Sequence, residues 1–131
     1  MKTLVTGGAG CIGSDLVGRL LKDGHNVTVI DNLSSGKIEH IAEYRDNPKF
    51  KFIEGDLLDK ETVDNVCHGM DMVFHLGANS DIKYKEGDRT NEDLEQNTIA
   101  TYHVLDAMRK NNVKKIVFTS SSVVYGETKH L

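Results

Sequence analysis

The 131-residue chain contains no tryptophan, one proline and only two cysteines. Cys11 and Cys67 cannot supply the bridges that staple small secreted domains, and no Cys/His cluster has zinc-ligand spacing. No apolar run approaches the roughly 18 residues of a membrane helix. Met1–Thr6 runs straight into glycines, with no cleavage-type segment. There is no internal repeat and no low-complexity tract. A basic surplus is missing too: Lys+Arg is 16 against Asp+Glu 20, a net charge of -4. Nucleic-acid binders usually carry a basic patch, so this mild acidity argues against that class. The expectation is a reduced, cytoplasmic, soluble protein with neither nucleic acid nor membrane as partner. What is present suffices for a core, with 38% apolar and 27% charged residues. The length fits one domain.

Short apolar runs alternate with longer amphipathic stretches. Lys2–Thr6 reads as a strand. Cys11–Lys22 carries Ile12, Leu16, Val17, Leu20 and Leu21 at helical spacing and closes at Asp23-Gly24. Asn26–Ile30 is a second strand ending at Asp31, and Lys49–Glu54 a third. Asp59 is placed to cap a helix over Lys60–Cys67. Asp71–Leu76 and Lys115–Ser120 read as strands four and five, with a long helix, Asn91–Lys110, between them. The charge-dense stretch 81–96 reads as a solvated loop and first helical turn. Alternating strands and helices imply right-handed crossovers. The expected architecture is α/β: a doubly wound, Rossmann-type parallel sheet of order 3-2-1-4-5, with its crevice at the C-terminal ends of strands 1 and 4.

Glycines at 7, 10 and 13 follow the first strand and open the first helix. Gly7 suits a tight turn. Gly10 admits close approach of a pyrophosphate, and Gly13 allows close helix–sheet packing. The helix N-terminus then aims free N–H groups, those of Cys11 and Ile12, at phosphate. Asp31, ending the next strand, can accept hydrogen bonds from ribose hydroxyls. It would repel a 2′-phosphate, which favours NAD over NADP. Cys11 reads as a small apolar filler near the cofactor. His75, inside a strand, reads as a packed core histidine.

These segments, in order, resemble the extended short-chain dehydrogenase/reductase superfamily, and within it the NAD-dependent nucleotide-sugar epimerases of the UDP-glucose 4-epimerase type. The resemblance covers nearly the whole chain. Thr6–Ser14 resembles the phosphate loop, Asp31-Asn32-Leu33-Ser34-Ser35-Gly36 the ribose loop, and Asp56-Leu57 an adenine-binding pair. Phe74-His75-Leu76-Gly77-Ala78 resembles the strand that lines the cofactor, and Thr119–Gly126 the serine-rich end of strand five. The resemblance implies that Asp31, Asn32, Ser35 and Gly36 hold the adenosine ribose. Asp56 would bond the adenine amine while Leu57 packs on its ring. Leu76, Gly77 and Ala78 would flank the cofactor ribose, with Asn97 as a prop for that strand end.

By the same resemblance Ser121, four residues before Tyr125, is the catalytic hydroxyl that hydrogen-bonds the reacting sugar oxygen, with Ser122 as the alternative. Related dehydratases present an acid here. Ser121-Ser122-Val123 has none, which favours epimerisation. The family also uses a tyrosine and a lysine four residues on, a couple of dozen residues past the serine. The lysine cation makes a phenolate available near neutral pH. Tyr125–Lys129 matches that pattern only as a decoy, since Gly126 is a poor helix residue. The expectation is therefore the incomplete NAD-binding domain, residues 1–131, of a longer enzyme that lacks its later strands and substrate domain. It would act on a nucleotide sugar and be homodimeric when full length. A dehydratase or dehydrogenase of nucleotide sugars, and a non-catalytic NAD-binding module, are the competing readings.

Overall fold

The structure, a computed structural model, describes residues 1–80 and 91–126. The loop expected over 81–96 lies partly, and Lys129 wholly, outside the described residues. Five strands form one parallel sheet in the order β3-β2-β1-β4-β5: β1 (Lys2–Thr6), β2 (Asn26–Asp31), β3 (Phe50–Glu54), β4 (Met72–His75) and β5 (Ile116–Phe118). This is the order expected from the sequence.

Successive residues of a strand face opposite sides of a sheet, and here both sides are covered. Leu4, Ile30 and Val73 point to one side, where α2 (Lys60–Cys67) and α3 (Ala100–Lys110) pack through Val63, Val66, Val104 and Met108. Val5, Val27 and Val29 point to the other, where α1 (Cys11–Lys22) packs through Val17, Leu20 and Leu21. α1 ends as its sequence suggests. Asp23 N–H bonds Arg19 O, Gly24 N–H bonds Leu21 O, and Gly24 takes φ +85. Asp59 caps α2, its carboxylate accepting the Glu61 and Thr62 N–H groups and the Thr62 hydroxyl. The Thr62 side chain, more than its backbone, holds the Asp59 carboxyl below its usual range. Burial, with Asp64 adding its charge, pushes the Cys67 thiol up to about 11. That keeps the thiol protonated and unreactive.

The long helix Asn91–Lys110 is not one α-helix. Leu94–Ile99 forms a π-helical segment that runs into α3. The Thr101 hydroxyl donates to the Asn97 carbonyl at 2.6 Å, inserting a side chain into the i→i−4 ladder. Ala100, Val104, Ala107 and Met108 face the core, whereas Leu94, Ile99 and Leu105 are exposed. β4 and β5 are shorter than read; past β4 the Leu76 N–H is shared between the Thr6 carbonyl and hydroxyl, and the Gly77 N–H turns to the hydroxyl. A 3-10 segment, Ile38–Tyr44, has no counterpart in the sequence reading. Ile41 is its one buried residue, with Ile38 and Tyr44 packed partly against the same core. No helix among the described residues is long and apolar enough to cross a membrane.

Candidate cofactor-binding site

The glycine turn joins β1 to α1 at the carboxyl edge of the sheet. Gly7 sits at φ +68, and a Cβ on it would lie 2.8 Å from the Gly77 nitrogen, so the turn and the chain after β4 meet there. The close fit against the sheet belongs to Gly8, whose Cβ would lie 2.6 Å from a Val29 methyl. Gly13 instead seats α1 on the turn, since its Cβ would collide with the Gly7 carbonyl. Gly10 differs from these: a Cβ there would approach only Gly7 O, at 3.2 Å.

Gly10 also caps α1 without any side-chain bond, and no acid stands in the first turn. The first intrahelical bond is Ser14 N–H to Gly10 O at 3.0 Å, so the Cys11 and Ile12 N–H groups precede it. The positive end of the helix is thus uncompensated and aimed at the crevice. Cys11 is an exposed residue of the crevice wall.

Asp31 is 8% exposed. One of its oxygens accepts Ala9 N–H at 2.9 Å and the other Leu33 N–H at 2.9 Å. Each keeps a further lone pair for a ligand. Leu33 pays for the bend with φ 58. Gly36 packs on Ala9 and on the Asp31 carboxylate. The Ala9 carbonyl in turn accepts Lys37 N–H at 3.0 Å and the His40 Nδ1–H at 2.9 Å. Ala9 is therefore the seam between the two loops, a role no sequence motif announces.

Asn32 donates to Asp56 at 3.1 Å, tying the ends of β2 and β3, and Asp56 also accepts Leu58 N–H. Across the crevice the Asn97 amide clamps Asn79. Its Oδ1 accepts Asn79 N–H at 2.7 Å and its Nδ2 donates to Asn79 O at 3.1 Å. His103 donates to Leu57 O at 2.9 Å. His75 is 1% exposed, and burial lowers its pKa to about 4, so it is neutral at physiological pH.

These loops enclose a cavity of about 770 Å³, a size typical of ligand and cofactor sites. Gly7, Gly10, Cys11, Ile12, Gly13, Asp31, Asn32, Ser35, Gly36, Leu57, Leu76, Gly77 and Ala78 all line it. Asp56, Asn97, Ser121 and Ser122 do not. The first two stand behind the wall, bonded to Asn32 and Asn79. Ser121 and Ser122 are exposed where a 3-10 turn, Ser122–Tyr125, follows β5. Thr119 and Ser120 take the place at the wall, together with Asn79, Ser80, Glu92 and Gln96. Asn79, Ser80, Glu92 and Gln96 carry no motif of their own. Among the described residues no group of three His, Cys, Asp or Glu could hold a metal ion.

Residues 3–131 match the model of the NAD dependent epimerase/dehydratase family. The chain belongs to that family. NAD is the cofactor. The chain is 40% identical to the UDP-glucose 4-epimerase of Mycolicibacterium smegmatis, over 96% of this chain and 41% of that protein. It is 38% identical to the UDP-N-acetyl-alpha-D-glucosaminuronate decarboxylase of Bacillus cytotoxicus, over 96% of this chain and 38% of the relative. It superposes with TM-score 0.84 and 31% identity on the Bordetella bronchiseptica enzyme WbmG in complex with NAD, covering 100% of this chain and 41% of that one. The chain thus spans about two fifths of the length of the relatives it matches.

The residues present fit an NAD-family cofactor. The opening at Gly10, the uncompensated amides of Cys11 and Ile12, and an almost buried carboxylate with lone pairs to spare lie along one crevice.

Proposed function

We propose that the chain is the NAD-binding part of a nucleotide-sugar 4-epimerase of the UDP-glucose/UDP-galactose type. The observation that carries this reading is the continuous crevice from Asp31 through Gly10–Gly13 to Gly77, which opens beside the end of β5. The amides of Cys11 and Ile12 hold the diphosphate. Asp31, with Asn32, Ser35 and Gly36 beside it, holds the adenosine ribose and excludes a 2′-phosphate. Leu57 packs on the adenine, with Asp56 holding Asn32 from behind the wall. Leu76, Gly77 and Ala78 support the second ribose, and Asn97 holds that wall from behind. When bound, NAD would supply a reversible hydride acceptor for sugar C4. Ser121 hydrogen-bonds the reacting oxygen as its proton departs and returns. In support of that role, the neighbouring Thr119 and Ser120 already face the crevice. The full-length enzyme also uses a tyrosine–lysine pair and further sugar-binding residues, and is a homodimer.

Product analysis tests the reading. The complete enzyme with UDP-galactose and NAD yields an isomer of unchanged mass, and the 131-residue chain alone binds NAD without turnover. Loss of one water would replace the proposal with the dehydratase reading, and loss of carbon dioxide from a uronic acid with a further one, a decarboxylase. The Bacillus cytotoxicus relative favours that one.

A further inference from the structure

Five hydrogen bonds beneath the β4 side of the crevice fix each other's direction. The Thr6 hydroxyl oxygen accepts N–H from Leu76 at 3.2 Å and from Gly77 at 3.0 Å. Its own proton is left for His75 Nδ1, at 2.7 Å. At the other ring nitrogen, the Thr101 hydroxyl lies 2.9 Å from His75 Nε2 and 2.6 Å from the Asn97 carbonyl. A carbonyl only accepts, so Thr101 donates to it and must receive from Nε2. Both ends independently demand a neutral imidazole with its proton on Nε2. The groups facing the ring are Thr6 from β1, Thr101 from α3 and the stacked Phe118 of β5, with centroids 5.7 Å apart. None of them titrates.

We propose that His75 is a positioning residue: as the Nε2–H tautomer it couples Thr6 to Thr101 and so fixes the Gly77 and Asn79 backbone that walls one half of the crevice. Gly77 is held through the Thr6 oxygen. Asn79 is held through Asn97, whose carbonyl the Thr101 hydroxyl engages inside the π-helical segment. Such segments recur where a helix is bent to serve a site. Asp31, Asn32 and Gly36 lie on the far side of β1, so the coupling acts on the half of the cofactor that the adenosine end does not occupy. The inference rests on the cofactor reading, and its test separates the two.

Thr101→Val removes the acceptor from His75 at little change in volume, and Thr101→Ser keeps it. Titration of each with NAD and with ADP, which lacks the nicotinamide half, reads the effect. Thr101→Val is expected to weaken NAD by roughly tenfold, leave ADP unchanged, and be rescued by Thr101→Ser. Equal loss of both ligands, or no loss of either, would overturn the positioning role. A wild-type chain binding neither ligand would overturn the cofactor site itself. Long-range ¹H–¹⁵N NMR of the imidazole in the unaltered chain gives a reading that needs no variant. A proton on Nε2 is expected, and one on Nδ1 contradicts the proposal.

Discussion

Asp31 does two things with one carboxylate. It staples the glycine turn to the ribose loop through Ala9 and Leu33, and it presents negative charge to the crevice. Asp31→Asn keeps an acceptor oxygen and removes the charge. NAD-over-NADP discrimination then falls by roughly tenfold or more in paired titrations. Asp31→Ala leaves two backbone N–H groups without their acceptor, and chemical denaturation shows a loss of about 2 kcal/mol or more. His75 sets a pH limit on the fold. Burial holds its native pKa near 4, against 6.5 for the unfolded side chain. The unfolded state therefore binds the extra proton first. Its contribution is whole above pH 6.5 and is lost as pH falls toward 4, roughly 3 kcal/mol in all. Urea titrations at pH 7 and pH 4.5 measure it, and stability independent of pH across that window contradicts the assignment. Asp31 was legible from the sequence because it ends a strand after a glycine turn. The Thr6–His75 bond was not, since 69 residues separate partners that only strand pairing brings together.

At the scale of elements, the glycine turn predicts two opposite outcomes from one kind of change. Gly13→Ala drives a methyl into the Gly7 carbonyl, and α1 must move. A loss of about 1–3 kcal/mol, with loss of NAD binding, is expected. Gly10→Ala meets only one carbonyl at 3.2 Å and projects into the crevice. Its thermal midpoint stays near wild type while NAD affinity falls at least tenfold by calorimetry. Equal melting losses for the two variants would mean that the crevice is not where Gly10 faces. α1 and α2 were readable because apolar spacing and end signals agree in them. The Leu94–Ile99 segment carries the same spacing, yet its register is set by the Thr101 hydroxyl and the Asn97–Asn79 clamp, which periodicity does not encode. The segment Ile38–Tyr44 has one buried anchor, too few for a pattern.

Seen whole, the molecule leaves much apolar surface in water. All three residues of β5 are exposed, with Phe118 at 54%, and Leu94, Tyr102 and Leu105 form a second bare face along the π segment and α3. Patches of this kind mark interaction surfaces. The chain is expected to self-associate through the helical face, with Leu94→Glu/Leu105→Glu shifting sedimentation toward monomer while NAD affinity holds. A wild type that stays monomeric at all concentrations counts against that surface. The sheet order was legible because short Val-rich runs alternating with helices leave few allowed windings. The crevice wall was half legible. Its glycines, Asp31 and Ser34 stand in motifs, whereas Asn79 and Ser80 reach the wall through the path of their loop and Gln96 from the π-helical segment.

The central claim is that the glycine turn and Asp31 form one cradle for NAD at the carboxyl edge of the sheet. An amide ¹H–¹⁵N titration of the chain with NAD tests it directly. Saturable shifts at Gly10, Cys11, Ile12 and Gly36, and much weaker changes with NADP, are the predicted result. Shifts confined to other surfaces, or matched by NADP at the same concentrations, would contradict it.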